Sequence, residues 1–105
     1  MDNLEKNVRL SSLYDLYKDL LTEKQRQYFE EYYFNDESLK EVAENFNVSR
    51  NAIYLSLKEV EEALEDFESK LSLKSKQEKR EELLNKLKTN ADKDSLKIIE
   101  ELEEI

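Results

Sequence analysis

Not one glycine and not one proline occurs in the 105 residues of this chain. The residues that most readily break helices and shape tight turns are therefore missing. What remains is rich in Leu, Glu and Lys, which favour helix. The sequence predicts an all-α fold whose turns are made by Asn, Asp and Ser. Disorder is the competing reading, because 41% of the residues are charged. Leu, Tyr and Phe recur at spacings of three and four through most of the chain, which favours a folded protein with a less defined C-terminal third.

The same absences exclude functions. Without glycine there is no phosphate-cradling loop and no dinucleotide fingerprint, since a Cβ obstructs both. His and Cys are also absent, so there is no thiolate nucleophile, no usual zinc site and no disulfide. No cofactor or metal is expected. The longest apolar run is residues 52–55, far below the roughly twenty needed to span a bilayer. "MDNLEKNVRLSSLYDLYKDLL" is interrupted by charges and lacks the apolar centre of a signal peptide. The expectation is a soluble cytoplasmic chain with no membrane partner.

Periodicity divides the chain. Leu10, Leu13, Tyr14, Tyr17, Leu20 and Leu21 form one stripe of a first helix. Thr22 and Gln25 have the form of a capping box opening a second helix over residues 23–34. Ser38 and Glu41 form another box, opening a short third helix that ends near Phe46. Asn47 is expected in the left-handed conformation, and Ser49 as the cap of a fourth helix. There Ile53, Leu57, Val60, Leu64, Phe67 and Leu71 alternate spacings of four and three. A stripe this long invites a coiled-coil partner, so Val60, Leu64, Phe67 and Leu71 are expected to form a homodimer interface. Leu83, Leu84 and Leu87 mark a fifth helix, and Ile98, Ile99, Leu102 and Ile105 a sixth. Residues 1–72 are read as one domain and 73–105 as a C-terminal helical extension.

"VAENFNVSRNAIY" satisfies the demands of a helix-turn-helix. Ala43 is small enough for a second helix to cross closely, and Asn47 makes the turn. Val48 and Ile53 point inward with Val42, Phe46 and Leu57. Ser49 caps the second helix, whose free N-terminus favours a phosphate. Arg50, Asn51 and Tyr54 are then the exposed residues facing base edges, Arg suiting guanine and Asn adenine. Lys40 and Lys58 are placed near phosphates.

"SLKEVAENFNVSRNAIYLSLKEVEEAL" resembles region four of bacterial sigma factors, a helix-turn-helix that grips promoter DNA. A longer stretch, from Leu13 to Leu71, resembles the YlxM family of small bacterial helix-turn-helix proteins. Genes of that family are associated with those of the signal recognition particle GTPase and its receptor. The resemblance implies a sigma region-four-like trihelical core with a long fourth helix. It also implies a DNA-binding transcription regulator linked to signal recognition particle components. Asn47 stands where sigma factors usually carry glycine. The fourth helix continues into "EVEEALEDFE" where they carry arginines.

The formal charge is −9, the wrong sign for a polyanion. By segment, residues 38–58 carry Lys40, Arg50 and Lys58 against Glu41 and Glu44, a net +1, whereas residues 59–72 carry six acids against Lys70, a net −5. Few cations promise weak, salt-sensitive binding to double-stranded DNA. Lys70, Lys74, Lys76, Lys79 and Arg80 form a basic stretch, read as a solvated linker in preference to a DNA or RNA clamp. Tyr28, Phe29, Tyr32, Tyr33 and Phe34 are read as core with half-exposed tyrosines in preference to a base-stacking platform. Glu30-Glu31 and Glu61-Glu62 are read as solvated. Adjacent helical residues diverge by about 100°, and with no other catalytic players the chain is expected not to be an enzyme. Two rivals to the DNA reader remain. One is a non-enzymatic adaptor that contacts a protein through its acidic helix. The other is an RNA-associated module.

Overall fold

The computed structural model describes residues 3–105 and is all-α, with no strand among them. Met1 and Asp2, the first residues of the stretch read against a signal peptide, lie outside the described residues. Two compact units are present, Met1–Leu71 and Ser72–Ile105.

In the first unit, α1 spans Asn3–Tyr17 and tightens into a 3-10 turn over Lys18–Leu20. Leu10, Leu13, Tyr14, Tyr17 and Leu21 are buried as the stripe requires. Leu20 is exposed, because the narrower turn rotates it off the stripe. Arg26 closes this end by donating to the carbonyls of Lys18 (3.2 Å) and Leu21 (2.8 Å). α2 covers Glu23–Phe29 and opens with the capping box read in the sequence: the Gln25 amide donates to Thr22 Oγ1 at 3.1 Å and the Thr22 amide to Gln25 Oε1 at 2.9 Å.

The helix does run on to Phe34, but Glu30–Phe34 is wound as a π-helix. Its wider turn carries the aromatic side chains past ordinary register. Tyr33 packs at 4.5 Å from the Phe29 ring, and Phe34 meets Tyr14 edge-on at 5.5 Å. Asp36, at φ 57°, then reverses the chain without glycine.

α3 spans Leu39–Phe46, α4 Arg50–Leu71. The α4 stripe is where the structure departs most from expectation. Val60 and Leu64 are completely buried among Leu10, Leu13, Tyr14, Tyr17, Leu21 and Phe29, and Phe67 packs on the Tyr17 ring at 5.8 Å. The expected dimer interface of Val60, Leu64 and Phe67 is therefore covered by α1 of the same chain. Only Leu71, at the helix end, stays substantially exposed (45%). The periodicity was a true sign of burial, and the partner is intramolecular.

Polar groups complete this packing. Arg9 grips Glu65 through two bonds of 2.8 and 2.7 Å, and Lys6 lies 3.1 Å from Glu61. Phenol hydroxyls donate from Tyr17 to Glu68 and from Tyr33 to Glu61, both at 2.6 Å, and from Tyr14 to Glu30. Burial, reinforced by the facing carboxylate, pushes the Tyr14 and Tyr33 phenols well above their ordinary range. Glu30 stays exposed, as expected, while accepting from buried Tyr14, whereas Glu61, expected to be solvated, is half-buried and accepts from half-buried Tyr33.

The second unit is a hairpin of α5 (Leu73–Thr89) and α6 (Lys93–Glu104). Except for Lys70, which lies in the last turn of α4, the basic stretch expected as a linker is included in α5. Its first turns are helical, with Lys74 2.7 Å from Glu78 and Lys79 3.8 Å from Glu82. Asp92 caps α6 by accepting from the Ser95 amide at 2.8 Å, and that bond holds its carboxyl below the usual range. Leu84 and Ile99 are buried between the helices, and Lys88 pairs with Glu103 at 2.7 Å. No helix among the described residues is long and apolar enough to cross a membrane.

Candidate nucleic-acid interface

The two helices of the expected motif meet at a turn whose chemistry is local. Ser38 caps α3: the Glu41 amide donates to its Oγ at 3.1 Å, and Glu41 Oε1 accepts from the Ser38 amide at 2.9 Å. That bond holds the Glu41 carboxyl below its ordinary range. At the other end Asn47 is left-handed, with φ 55° and ψ 47°. The Val48 amide donates to the Ala43 carbonyl at 3.0 Å and the Asn47 amide to that of Glu44 at 3.3 Å. This is a Schellman closure with asparagine in the position glycine usually fills. Val48 then packs onto the cluster of Tyr28, Val42, Ala43, Ile53 and Leu57, its expected apolar clasp. Ser49 starts α4 by accepting from the Ala52 amide at 3.0 Å.

This geometry fixes which side of α4 is free. Ile53 and Leu57 are buried against α3, and Ala43 allows the crossing by being small and itself buried. Ser49, Arg50, Asn51, Tyr54 and Lys58 are all exposed. Arg50, Tyr54 and Lys58 follow one another at intervals of four and so share one face with Asn51 beside them. The Lys58 ammonium lies 5.9 Å from the Tyr54 ring centre, a loose cation–π contact. Lys40 is exposed as well, on the first turn of α3.

Three further features of this region arise from the fold and not from the motif. Leu55 is half exposed on the same turn as Tyr54, an apolar side chain open to solvent beside the polar ones. Tyr54 and Lys58 also line a groove of about 310 Å³ together with Tyr32, Tyr33, Leu39, Lys6 and Glu61. Lys6 lies too far away in sequence to be associated with the motif. Finally, Asn45 of α3 donates from one amide nitrogen to Glu31 (2.9 Å) and Glu37 (3.0 Å). The hydrogen bond and charge of Glu31 raise the Glu37 carboxyl above its usual range. No group of His, Cys, Asp or Glu among the described residues is placed to hold a metal ion.

The turn, the cap and the exposed face are those of a helix-turn-helix, and comparison with known proteins agrees. Residues 4–105 match the family model of UPF0122, described as "Putative helix-turn-helix protein, YlxM / p13 like". A UPF0122 protein of Halalkalibacterium halodurans is 52% identical over 90 residues, covering 86% of this chain and 83% of that one. One from Geobacillus sp. (strain WCH70) is 46% identical over 108 aligned positions, covering 97% and 98%. One from Mycoplasma capricolum is 48% identical over 87 residues, covering 83% and 77%.

Proposed function

This chain belongs to the UPF0122 family of YlxM / p13-like helix-turn-helix proteins, and from that premise we propose that it is a cytoplasmic regulator that reads double-stranded DNA. Arg50 and Asn51 contact base edges in the major groove from the first turn of α4, with Tyr54 beside them. Ser49 at the helix N-terminus, Lys40 and Lys58 hold phosphates. The observation that carries this reading is the left-handed Asn47 turn. It buries Ile53 and Leu57 while leaving Arg50 and Asn51 exposed at the N-terminal tip of α4. A bidentate Arg–guanine or Asn–adenine pair discriminates by about 1–3 kcal/mol, roughly tenfold to a hundredfold.

A second reading has its own support. Three cations in residues 38–58 of a chain with net charge −9 make a poor polyelectrolyte grip. The adaptor reading keeps the fold and gives its surface to a protein, for which the family's gene association makes signal recognition particle components the first to try.

Fluorescence anisotropy of random and selection-enriched duplexes at two or more salt concentrations separates the two. The DNA reading expects saturable binding that disappears in the Arg50→Ala/Asn51→Ala double variant with helix content unchanged. Two phosphate-facing cations per motif, Lys40 and Lys58, set a slope of log K against log salt of about −1.8. Flat titrations in low salt would sink the DNA reading and leave the adaptor.

A further inference from the structure

The second unit raises a stability problem that its own residues do not solve. Folded units below about 40 residues usually need disulfides, metals or association to persist, and Ser72–Ile105 is below that size. The chain has no Cys and no His. Within the hairpin only Leu84 and Ile99 are buried, and both keep a little exposure, 7% and 4%. Beside them lies an apolar face that remains open: Leu87, Ile98 and Leu102 are 56%, 60% and 44% exposed. All three line one groove of about 320 Å³ along the hairpin. Leu83 continues it one turn back on α5 and Ile105 one turn onward from Leu102, both exposed.

The charge pattern indicates what covers that face. α5 carries six cations against three carboxylates, a net +3, and α6 two cations against five carboxylates, a net −3. Each helix of the hairpin is thus the electrostatic complement of the other. A second copy turned about a twofold axis can place its acidic α6 beside the basic α5 of the first, and the reverse follows by symmetry. Every helix in the resulting four-helix bundle then has opposite charge on both flanks, while the two grooves close on each other. A general acidic or basic partner would satisfy only one of the two helices.

We propose that the α5–α6 hairpin is a self-association module, pairing through Leu83, Leu87, Ile98 and Leu102 with the hairpin of a second copy. This inference is independent of what α4 reads, although a dimer would carry two reading helices.

Sedimentation equilibrium of the full chain over a wide concentration range tests it. The expected result is a mass rising to twice 12.6 kDa. Ile98→Glu/Leu102→Glu, at positions open to solvent in the single chain, should keep the helix content and weaken self-association at least about tenfold. A second arm guards against misfolding. Lys79→Glu/Arg80→Glu should weaken self-association in the same way, and mixing that variant with Glu100→Lys/Glu101→Lys should restore dimers as heterodimers. A wild type that stays monomeric throughout, or one whose dimer survives both pairs of substitutions, overturns the proposal. The first of these outcomes would mean that something other than a second copy covers the face.

Discussion

Leu64→Asp separates two meanings of the α4 stripe. If the stripe were a seam between copies, the substitution would release a folded monomer. The structure expects otherwise, because Leu64 is completely buried and its neighbours include Leu13, Tyr17 and Val60 of the same chain. Removing such a leucine side chain costs about 2–5 kcal/mol. The introduced carboxyl, with no partner there, adds a desolvation cost of several kcal/mol even if it takes up a proton. Against this stands a total stability of about 4–11 kcal/mol for a unit the size of Met1–Leu71. Leu64→Asp should therefore unfold the first unit at room temperature, and Leu64→Ala should leave it folded with a lower urea midpoint. The readout is clean, because all six tyrosines lie between residues 14 and 54. Near-UV circular dichroism thus reports the first unit alone. A Leu64→Asp protein with a wild-type near-UV spectrum and a halved mass would refute the intrachain assignment.

Two other outcomes follow from particular residues. Asn47→Ala places a Cβ without a polar group at φ 55° and should cost about 1–2 kcal/mol. Asn47→Gly should stay within about 1 kcal/mol of wild type; equal urea midpoints for the two would show that the left-handed turn is not maintained. Glu37 has its carboxyl raised by Glu31, so its contribution to stability is present below the ordinary carboxyl range and lost as pH rises through the raised value. Glu37→Gln should accordingly raise the urea midpoint at neutral pH and leave it little changed in acid. A midpoint lowered at neutral pH would show that the Glu31–Glu37 repulsion has been misread.

How much was legible depended on how local the cause was. The boxes at Thr22 and Ser38, the Asn47 turn and the Ser49 cap are each decided within a few residues, and all four stand where the sequence placed them. The α4 stripe was legible as buried, but a heptad pattern does not say whose helix covers it. The α1 stripe from Leu10 to Leu21 is its complement, but nothing in either stripe's spacing pairs it with the other. The π turn at Glu30–Phe34 left no signal, since it arises from fitting Tyr33 and Phe34 against Phe29 and Tyr14. Neither did the roles of Glu30 and Glu61, whose donors Tyr14 and Tyr33 come from other helices. Residues 73–80 were silent for another reason. Leu73 is their only large apolar side chain, so no hydrophobic period existed to betray the start of α5.

The acidity of the chain then takes a different meaning from the one its total suggests. Glu61, Glu65 and Glu68 bind Lys6, Arg9, Tyr17 and Tyr33, so much of the negative charge on α4 serves to hold α1 and the aromatic helix against it. That requirement lies in the second half of α4, beginning near Glu59, some nine residues and about 14 Å beyond Arg50. Interactions between exposed charges fall off over about 8 Å at physiological ionic strength, so the first turns of α4 are largely insulated from those carboxylates, and net charge is a poor guide to what they touch. On the proposed DNA reading, the polarity has a further effect. A helix that is cationic at its N-terminal tip and anionic along its remaining length is repelled by phosphate everywhere except at that tip. It can approach a duplex end-on but not lie along it, so the acidic half would favour the one orientation in which Arg50 and Asn51 lead.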